Sequence, residues 1–302
     1  MALNIWRFTD RKPGHDSQSI GLCDAIGRLT TVSCFDIQTS SIFSSLGRFL
    51  SNTFPAGESL PDPDLIIGAG HGTHFSMLAA RNARGGKIIV LMKPSLPLPL
   101  FDICIIPKHD LISEKGNVVT TNGALNPIQF NKNKSPDQGL ILLGGISKHY
   151  HWDNKSIIDQ INTVVTNSPD INWIVADSPR TPTSVLNDIN KHSFENVSTL
   201  SCSGTNGADI QKLIVNSSYI WVTRDSISMI YESLSSGATV GLINLPKKKN
   251  SRLEVSINAL VKEGYLTIFN EKNTKPALKS NRPILNEAQR CAELLLSRGI
   301  FG

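Results

Sequence analysis

The stretch Leu140-Ile141-Leu142-Leu143-Gly144-Gly145-Ile146-Ser147-Lys148 places a small-residue turn directly after a short apolar run. A second copy of this pattern lies in the first half of the chain, where Leu65-Ile66-Ile67 leads into Gly68-Ala69-Gly70. A glycine turn after a buried strand leaves backbone N–H groups and a helix N-terminus facing an open edge, which suits phosphate or another anion. The two copies therefore predict two similar α/β domains, with a ligand held in a cleft between them.

The composition is that of a globular protein with two domains of ordinary size. The chain has 302 residues, of which 40% are hydrophobic and 18% charged. Its net charge is only +5, and few aromatic residues lie among the Lys and Arg residues, so we expect no nucleic-acid partner. The apolar runs are too short to span a bilayer, and the first ten residues do not resemble a signal peptide. We therefore expect a cytoplasmic protein, and peripheral contact with the inner face of a membrane stays open.

The cysteines and histidines do not indicate a metal site. Five cysteines stand at wide spacings without a C-x-x-C pair, which is typical of reduced thiols. The histidine pairs His71/His74 and His149/His151 are no better spaced for zinc. The sequence thus predicts no metal ion and no obligatory cofactor.

Apolar runs alternate with helix-like stretches along the whole chain, which is typical of parallel sheets covered by helices. The stretch Asn131 to Gln138 is polar and has the composition of a linker. We therefore predict two Rossmann-like domains, over residues 1–133 and 134–302. The first helix is expected over about Asp16 to Leu29, after a loop through Gly14. The last helix, about Leu285 to Arg298, falls in the second domain, and its packing back on the first is left open.

The stretch from Thr223 to Glu232 carries the densest set of candidate ligand-binding residues. It ends an apolar run with Thr223 and Asp225 and opens a predicted helix with Ser226 and Ser228. Such a helix start can hold a diphosphate, and Glu232, one turn further along, could accept hydrogen bonds from a sugar diol. The alternative is that Asp225 or Ser226 only caps the helix and that Glu232 is solvated.

Two further turns of the second half are expected at the same edge of the sheet. The turn at Gly144 and Gly145, with Ser147 and Lys148, supplies backbone N–H groups and a cation. Arg180 follows another predicted strand and could bind phosphate with two parallel hydrogen bonds. The alternatives are a tight strand-to-helix turn and a surface ion pair.

The first half offers a candidate catalytic residue, His15. It follows the first strand, next to Gly14, and histidine titrates near neutral pH, so His15 could act as a general base towards an acceptor. A helix-capping or structural histidine is the alternative. The other candidates for the acceptor side follow later strands: Gly70, Thr73, His74 and Asn122.

The order of these motifs resembles that of the GT-B class of nucleotide-sugar glycosyltransferases, such as the enzymes that convert peptidoglycan lipid I to lipid II. The likeness lies in Pro13-Gly14-His15, Gly68 to Gly72, Gly144 to Ser147 and Ser226 to Glu232. Ile146 before Ser147 and Asp225 in place of a small residue depart from that pattern. The resemblance implies an N-terminal acceptor-side domain and a C-terminal nucleotide-sugar domain.

The chain also resembles the mitochondrial-fission Elm1-like family, formerly a domain of unknown function with plant and bacterial members. The phrases that carry this likeness cover both halves: Asp10 to Gln18, Gly68-Ala69-Gly70 with Thr73-His74, Gly123 to Asn126, Gly144-Gly145 with Lys148 to Trp152, Arg180-Thr181-Pro182, and Thr223 to Glu232. The family name describes an organelle phenotype and implies no particular chemistry.

These resemblances favour a metal-independent GT-B-like glycosyltransferase that takes a nucleoside-diphosphate sugar as donor. The expected acceptor is lipid-linked or part of the cell envelope. The alternative is a non-catalytic adaptor that binds a membrane or protein through the apolar loop Leu96 to Phe101 and the basic run Lys247 to Lys249. A nucleotide-sugar epimerase ranks last, because the chain has no Tyr-x-x-x-Lys pair and no full G-x-G-x-x-G after the first strand.

Overall fold

The computed structural model describes residues 2–39, 41–192, 194–248, 252–271 and 284–302, with backbone only for 42, 43, 252 and 253. The chain forms two compact units: unit 1 is Met1–Pro127 with Asn286–Gly302, and unit 2 is Ile128–Leu285. The sequence-based division lay at residues 133 and 134 and assigned the last helix to the second domain. The structure assigns residues 128–133 to unit 2 and the last helix to unit 1.

Unit 1 contains a parallel sheet of six strands in the order β2-β1-β3-β4-β5-β6. Its strands are β1 (Leu3–Thr9), β2 (Val32–Gln38), β3 (Leu65–Ala69), β4 (Lys87–Leu91), β5 (Ile103–Pro107) and β6 (Val118–Thr121). The helices between them are α1 (Pro13–Gly27), α2 (Ile42–Ser51) and α3 (His74–Arg84). Because the order of strands reverses between β1 and β3, the loops that follow these two strands diverge and leave a crevice at this edge.

Unit 2 contains a second parallel sheet of six strands, in the order β12-β11-β10-β7-β8-β9. Its strands are β7 (Ser135–Leu142), β8 (Asn172–Ala176), β9 (Val197–Leu200), β10 (Ser217–Thr223), β11 (Thr239–Ile243) and β12 (Leu266–Ile268). Its helices are α4 (Asn154–Thr166), α5 (Ser184–Asn190), α6 (Gly207–Asn216), α7 (Ile227–Ser235) and α8 (Arg252–Lys262). This is the doubly wound Rossmann order, with the reversal between β7 and β10.

The last helix, α9 (Glu287–Ser297), belongs to unit 1 and packs against α1. It buries Ala288, Cys291, Ala292 and Leu295 in the core that α1 forms with the sheet. These positions recur at helical spacing, so one face of α9 is apolar. The first unit is therefore completed by the end of the chain.

The predicted fold class is confirmed: each unit is a parallel sheet with apolar side chains buried on both faces. Strand interiors such as Leu65-Ile66-Ile67 are fully buried, as expected for parallel strands covered by helices. In unit 2, Gly139 and Gly241 leave room for the rings of Trp173 and Trp221, because a Cβ at either glycine would lie under 3.0 Å from the ring. The two indoles fill the core on that face.

Some predicted boundaries were wrong. Helix α1 begins at Pro13 instead of Asp16, so Gly14 and His15 lie in its first turn. Proline suits the first helical position, because its φ fits a helix and the N–H it lacks would have no partner there. Strand β7 begins at Ser135 within the predicted linker, and strand β12 was not predicted.

Candidate functional site

The reversal of strand order in unit 2 brings two of the predicted loops into direct contact. The backbone N–H of Gly144, after β7, donates to Thr223 Oγ1 at 2.7 Å, and that of Gly145 donates to Asp225 Oδ2 at 2.9 Å. Thr223 is the last residue of β10 and is fully buried. The loops after β7 and β10 thus form one hydrogen-bonded unit at the carboxyl edge of the sheet.

This contact requires glycine at both turn positions. A Cβ at Gly144 would lie under 3.0 Å from the carboxylate oxygens of Asp225, and one at Gly145 would lie under 3.0 Å from the backbone of Arg180. Gly145 also has a φ of +144°, which side-chain-bearing residues rarely adopt. The loop after β8, which carries Arg180, is therefore part of the same cluster.

Asp225 lies at the centre of this cluster. Its side chain is fully buried, and Oδ2 lies 3.1 Å from Nη1 of Arg180. Burial raises the pKa of Asp225, although the hydroxyl of Thr223, the charge of Arg180 and the Gly145 amide act in the opposite direction. Its Oδ1 has no hydrogen-bond partner among the described residues. The carboxylate therefore accepts the hydrogen bond of the Gly145 amide and contacts the Arg180 guanidinium. From the sequence, both groups were predicted to bind an anionic ligand.

Helix α7 begins directly after this carboxylate and presents an open N-terminus. Its N-cap residue, Ser226, makes no side-chain capping hydrogen bond. Ser226 is buried and Ser228 is exposed. The first amides of a helix have no partner within the helix, and the N-terminal end of its dipole favours negative charge. Ser226 and Ser228 thus flank a helix terminus of the kind that can bind an anion.

Glu232 lies one turn into the same helix and is half-buried. Burial raises its pKa to about 7. Its carboxyl group makes no hydrogen bond or ion pair with another described residue. A carboxyl group in this state can both donate and accept hydrogen bonds near neutral pH.

The remaining candidates of unit 2 lie in the same loops and differ in their exposure and in their contacts. Ser147 Oγ accepts hydrogen bonds from the backbone N–H groups of His149 and Tyr150, at 3.3 and 3.2 Å, so this hydroxyl shapes the turn. Lys148 is exposed and forms no ion pair with a described residue. The Arg180 side chain is 45% exposed. Lys148 and Arg180 are therefore the cations that could reach a ligand here.

Arg224, between Thr223 and Asp225, binds side chains of α8 and contributes to the fold. Its guanidinium pairs with the buried carboxylate of Glu254 on α8 and donates to Asn258 Oδ1 at 2.8 Å. Tyr150 also donates to Glu254, and Lys247 Nζ lies 2.8 Å from it. The sequence analysis did not identify this network, because its members are up to 104 residues apart and no local pattern links them.

In unit 1, the corresponding reversal brings together Asp10 and His15. The Nδ1 of His15 lies 3.0 Å from both carboxylate oxygens of Asp10. Burial alone would raise the pKa of Asp10. Hydrogen bonds from Lys12 and His15 outweigh this effect, and the pKa is lowered. The ion pair with Lys12 Nζ measures 3.0 Å. His15 is thus held by a charged carboxylate five residues before it.

The loop after β3 supports this pair from the other side. Gly70 has a φ of +78°, and a Cβ there would lie under 3.0 Å from the His15 ring. A Cβ at Gly72 would lie 3.1 Å from Asp10 Oδ2. The glycine loop of the first half therefore serves as the surface against which Asp10 and His15 pack.

The other acceptor-side candidates take different positions. Thr73 and His74 are both buried. Thr73 Oγ1 donates to the Gly70 carbonyl at 2.9 Å. Burial lowers the pKa of His74 to about 4, and the charge of His71 lowers it by a smaller amount. The N–H of Asn122 donates to Glu287 Oε2 at 2.9 Å. Gly14 is exposed in the first turn of α1. Among these candidates, Gly70 is the one whose backbone lies against the His15 ring.

The apolar loop expected to serve an adaptor is largely packed against unit 1. Phe101 is 2% exposed, and Leu96 and Leu98 pack against the core, so Leu100 is the one exposed side chain among these four apolar residues. The Asn117 side chain also donates to the carbonyl groups of Leu98 and Phe101 in this loop. In the basic run, Lys247 pairs with Glu254 and Lys248 donates to the Ser147 carbonyl, whereas Lys249 lies outside the described residues.

A polar groove lies at the other edge of the unit 2 sheet, away from the predicted site. It has a volume of about 510 Å³ and is lined by the amino ends of β7, β8 and β9, including Asp137, Asn172 and Glu195. Within the described ranges, no group of three His, Cys, Asp or Glu side chains could hold a metal ion. None of the described helices has both the length and the hydropathy that a bilayer span requires.

The fold is similar to that of solved two-domain proteins that act on nucleotide sugars. The UDP-GlcNAc 2-epimerase of Methanocaldococcus jannaschii matches with a TM-score of 0.58 at 13% identity, over 98% of this chain and 100% of that chain. The UDP-GlcNAc 2-epimerase of Neisseria meningitidis, bound to UDP-GlcNAc, matches with a TM-score of 0.55 at 14% identity, over 98% and 100%. This similarity confirms the predicted fold class, a GT-B-like fold with two Rossmann-like domains.

Sequence comparison identifies relatives over nearly the whole chain. The uncharacterised protein RP120 of Rickettsia prowazekii is 26% identical, over 97% of this chain and 98% of the relative. Residues 13–298 match the family described as Mitochondrial fission ELM1, including the Asp10–His15 loop from Pro13 onwards and all the candidate residues of unit 2. The chain therefore belongs to the mitochondrial fission ELM1 family.

Proposed function

We propose that this protein binds a nucleoside-diphosphate sugar at the carboxyl edge of the unit 2 sheet and transfers the sugar to an acceptor hydroxyl group. The observation that carries the proposal is the open N-terminus of α7, which starts next to the strand reversal between β7 and β10. Free helix amides favour phosphate, and α/β sheets bind ligands at such reversals. The UDP-GlcNAc bound to the Neisseria meningitidis protein of similar fold supports this ligand class.

The described contacts suggest a division of roles within the proposed donor site. Ser226, Ser228 and the first amides of α7 would bind the diphosphate, and the exposed Lys148 and Arg180 would add positive charge. Gly144, Gly145 and Thr223 would hold the loops in place through their hydrogen bonds to one another and to Asp225. Ser147 would shape the turn that carries Lys148.

Glu232 would bind the ribose of the donor. Its carboxyl group has no described partner, lies about 6 Å further along the helix axis than Ser228, and has a pKa of about 7. A vicinal diol presents two hydroxyl groups that can satisfy such a carboxyl group. Charge-assisted or neutral hydrogen bonds of this kind contribute roughly 0.5–3 kcal/mol to binding.

The chemical step needs stabilisation of the leaving diphosphate and a base for the acceptor. Donors aimed at developing charge contribute the larger effect, and a positioned base adds about 10²- to 10⁴-fold in rate. In this proposal His15 is the base. The acceptor that we propose is lipid-linked or part of the cell envelope, and no metal ion is required.

Calorimetric titration with UDP-, GDP-, CMP- and ADP-sugars tests the donor site. We expect one nucleotide class to bind and Glu232→Ala to weaken its affinity about tenfold, which corresponds to about 1.4 kcal/mol. Glu263→Ala is the matched control, because Glu263 is an exposed residue at the end of α8, and it should leave the affinity unchanged. Absence of binding across the panel would refute the proposal and favour the non-catalytic adaptor.

A further inference from the structure

Asp10, which follows β1, makes a contact that the donor site does not explain. Both of its carboxylate oxygens lie 3.0 Å from Nδ1 of His15. The Asp10 side chain is 8% exposed and that of His15 is 18% exposed, so the pair is largely shielded from water. We propose that Asp10 is a positioning residue that fixes the ring of His15 and keeps its proton on Nδ1, so that Nε2 is the basic atom. This inference rests on the proposed function.

The state of Asp10 determines the direction of the hydrogen bond. Asp10 accepts a hydrogen bond from the Lys12 backbone N–H at 3.3 Å and forms an ion pair with Lys12 Nζ at 3.0 Å. Its pKa is lowered, as described above, so it is ionised near neutral pH. An ionised carboxylate can only accept hydrogen bonds, so His15 must donate from Nδ1. In neutral His15 the lone pair is therefore on Nε2.

The ring also packs closely against the Gly70 backbone. Gly70 adopts a positive φ, and a Cβ there would lie under 3.0 Å from the His15 ring. The Nε2 atom makes no hydrogen bond with a described residue and retains contact with solvent. A fixed tautomer with an accessible Nε2 is the arrangement that a general base needs.

Nε2 of neutral His15 takes the proton of the acceptor hydroxyl while that oxygen forms a bond to the anomeric carbon of the sugar. The bond from the anomeric carbon to the diphosphate breaks, and the diphosphate leaves with the electron pair. His15 becomes an imidazolium that Asp10 stabilises without being protonated, and the proton then passes to water.

The test is the tautomer of His15, read from the ¹⁵N chemical shifts of its ring in long-range ¹H–¹⁵N spectra of the whole protein. His15→Gln assigns the signals. We expect neutral His15 in the wild type to carry its proton on Nδ1. In Asp10→Asn, whose amide can donate to Nδ1, we expect the fraction of this tautomer to fall from nearly all to half or less.

Asp16→Asn is the matched control. Asp16 follows His15 in the first turn of α1. Its side chain accepts from Thr9, pairs with Arg7 and forms no hydrogen bond or ion pair with His15, so this variant should keep the wild-type tautomer. A wild-type spectrum with the proton on Nε2 would overturn the proposal whether or not any variant folds. An unchanged tautomer in folded Asp10→Asn would overturn it as well.

Kinetics separate this inference from the proposed function. Asp10→Asn should lower kcat about 100-fold or more and leave the calorimetric Kd of the donor unchanged within twofold. Equal kcat in Asp10→Asn and wild type would refute the positioning role. A wild-type protein that binds no donor would refute the proposed function, whereas the tautomer would still report on the Asp10–His15 contact.

Discussion

Replacement of Glu232 by glutamine should make the stability of the protein less sensitive to pH. Burial raises the pKa of Glu232 from 4.5 to about 7, and no described residue compensates its charge. Between these two values the folded protein keeps a proton that the unfolded chain has lost, so stability falls as the pH rises through this window. At about 1.4 kcal/mol for each pH unit, ionisation of Glu232 costs about 3 kcal/mol above the window. Because Glu232 is only half-buried, we expect about 2 kcal/mol.

The measurement is thermal unfolding of the wild type and Glu232→Gln at pH 5 and pH 8. Glutamine has nearly the same shape and no charge, so the variant should gain about 4–8 °C in Tm relative to the wild type between the two pH values. Glu263→Gln, at an exposed position, should show no such change. An equal difference between wild type and Glu232→Gln at both pH values would refute the assignment of a buried, uncompensated carboxyl group.

Three further predictions concern unit 2. Gly145→Ala should lower the free energy of unfolding by about 2 kcal/mol or more in urea titrations, because its positive φ and the Arg180 backbone both exclude a Cβ; a change below about 0.5 kcal/mol would contradict this packing. Asp225→Asn should tighten calorimetric UDP binding about tenfold, because it removes a negative charge that occupies the Gly145 amide and Arg180, and weaker binding would show that the carboxylate supports the ligand instead. Glu254→Ala should cost about 3–5 kcal/mol in urea unfolding, since it leaves Arg224 buried without its partner, and a cost near zero would exclude a structural role for this network.

Local patterns in the sequence were sufficient for the fold class and for the edge of the sheet where the candidate residues lie. The apolar runs before Gly68 and Gly144 are buried parallel strands, because a strand covered on both faces needs apolar side chains throughout. Turns that follow the carboxyl ends of such strands meet at one edge. For that reason Gly144, Gly145, Arg180 and Asp225 are in contact, as the loop positions indicated.

The sequence could not indicate which way a polar side chain points within that edge. Asp225 binds the Gly145 amide and Arg180 internally, and Arg224 next to it pairs with Glu254 on another helix. Thr73 and His74 are buried, although they follow a glycine turn like the others. These outcomes depend on partners far away in the chain. The roles of His15, Glu232 and the other candidate residues in binding or catalysis stay predictions.

Local sequence patterns also could not predict short or irregular elements. Strand β12 has only three residues, too few to show an alternation of apolar and polar side chains. The apolar residue Phe101 resembles an exposed loop residue in sequence, but its side chain is buried in the core of unit 1. Hydrophobicity alone does not distinguish a loop that docks on its own core from one that binds a partner.

The most direct test of the central claim is a crystal structure of the protein with bound UDP. The account predicts that the diphosphate oxygens lie about 2.7–3.2 Å from the first backbone N atoms of α7 and from the Ser226 hydroxyl, with the ribose at Glu232. UDP bound at the opposite edge of the sheet, in the polar groove beside Asn172 and Glu195, would contradict it.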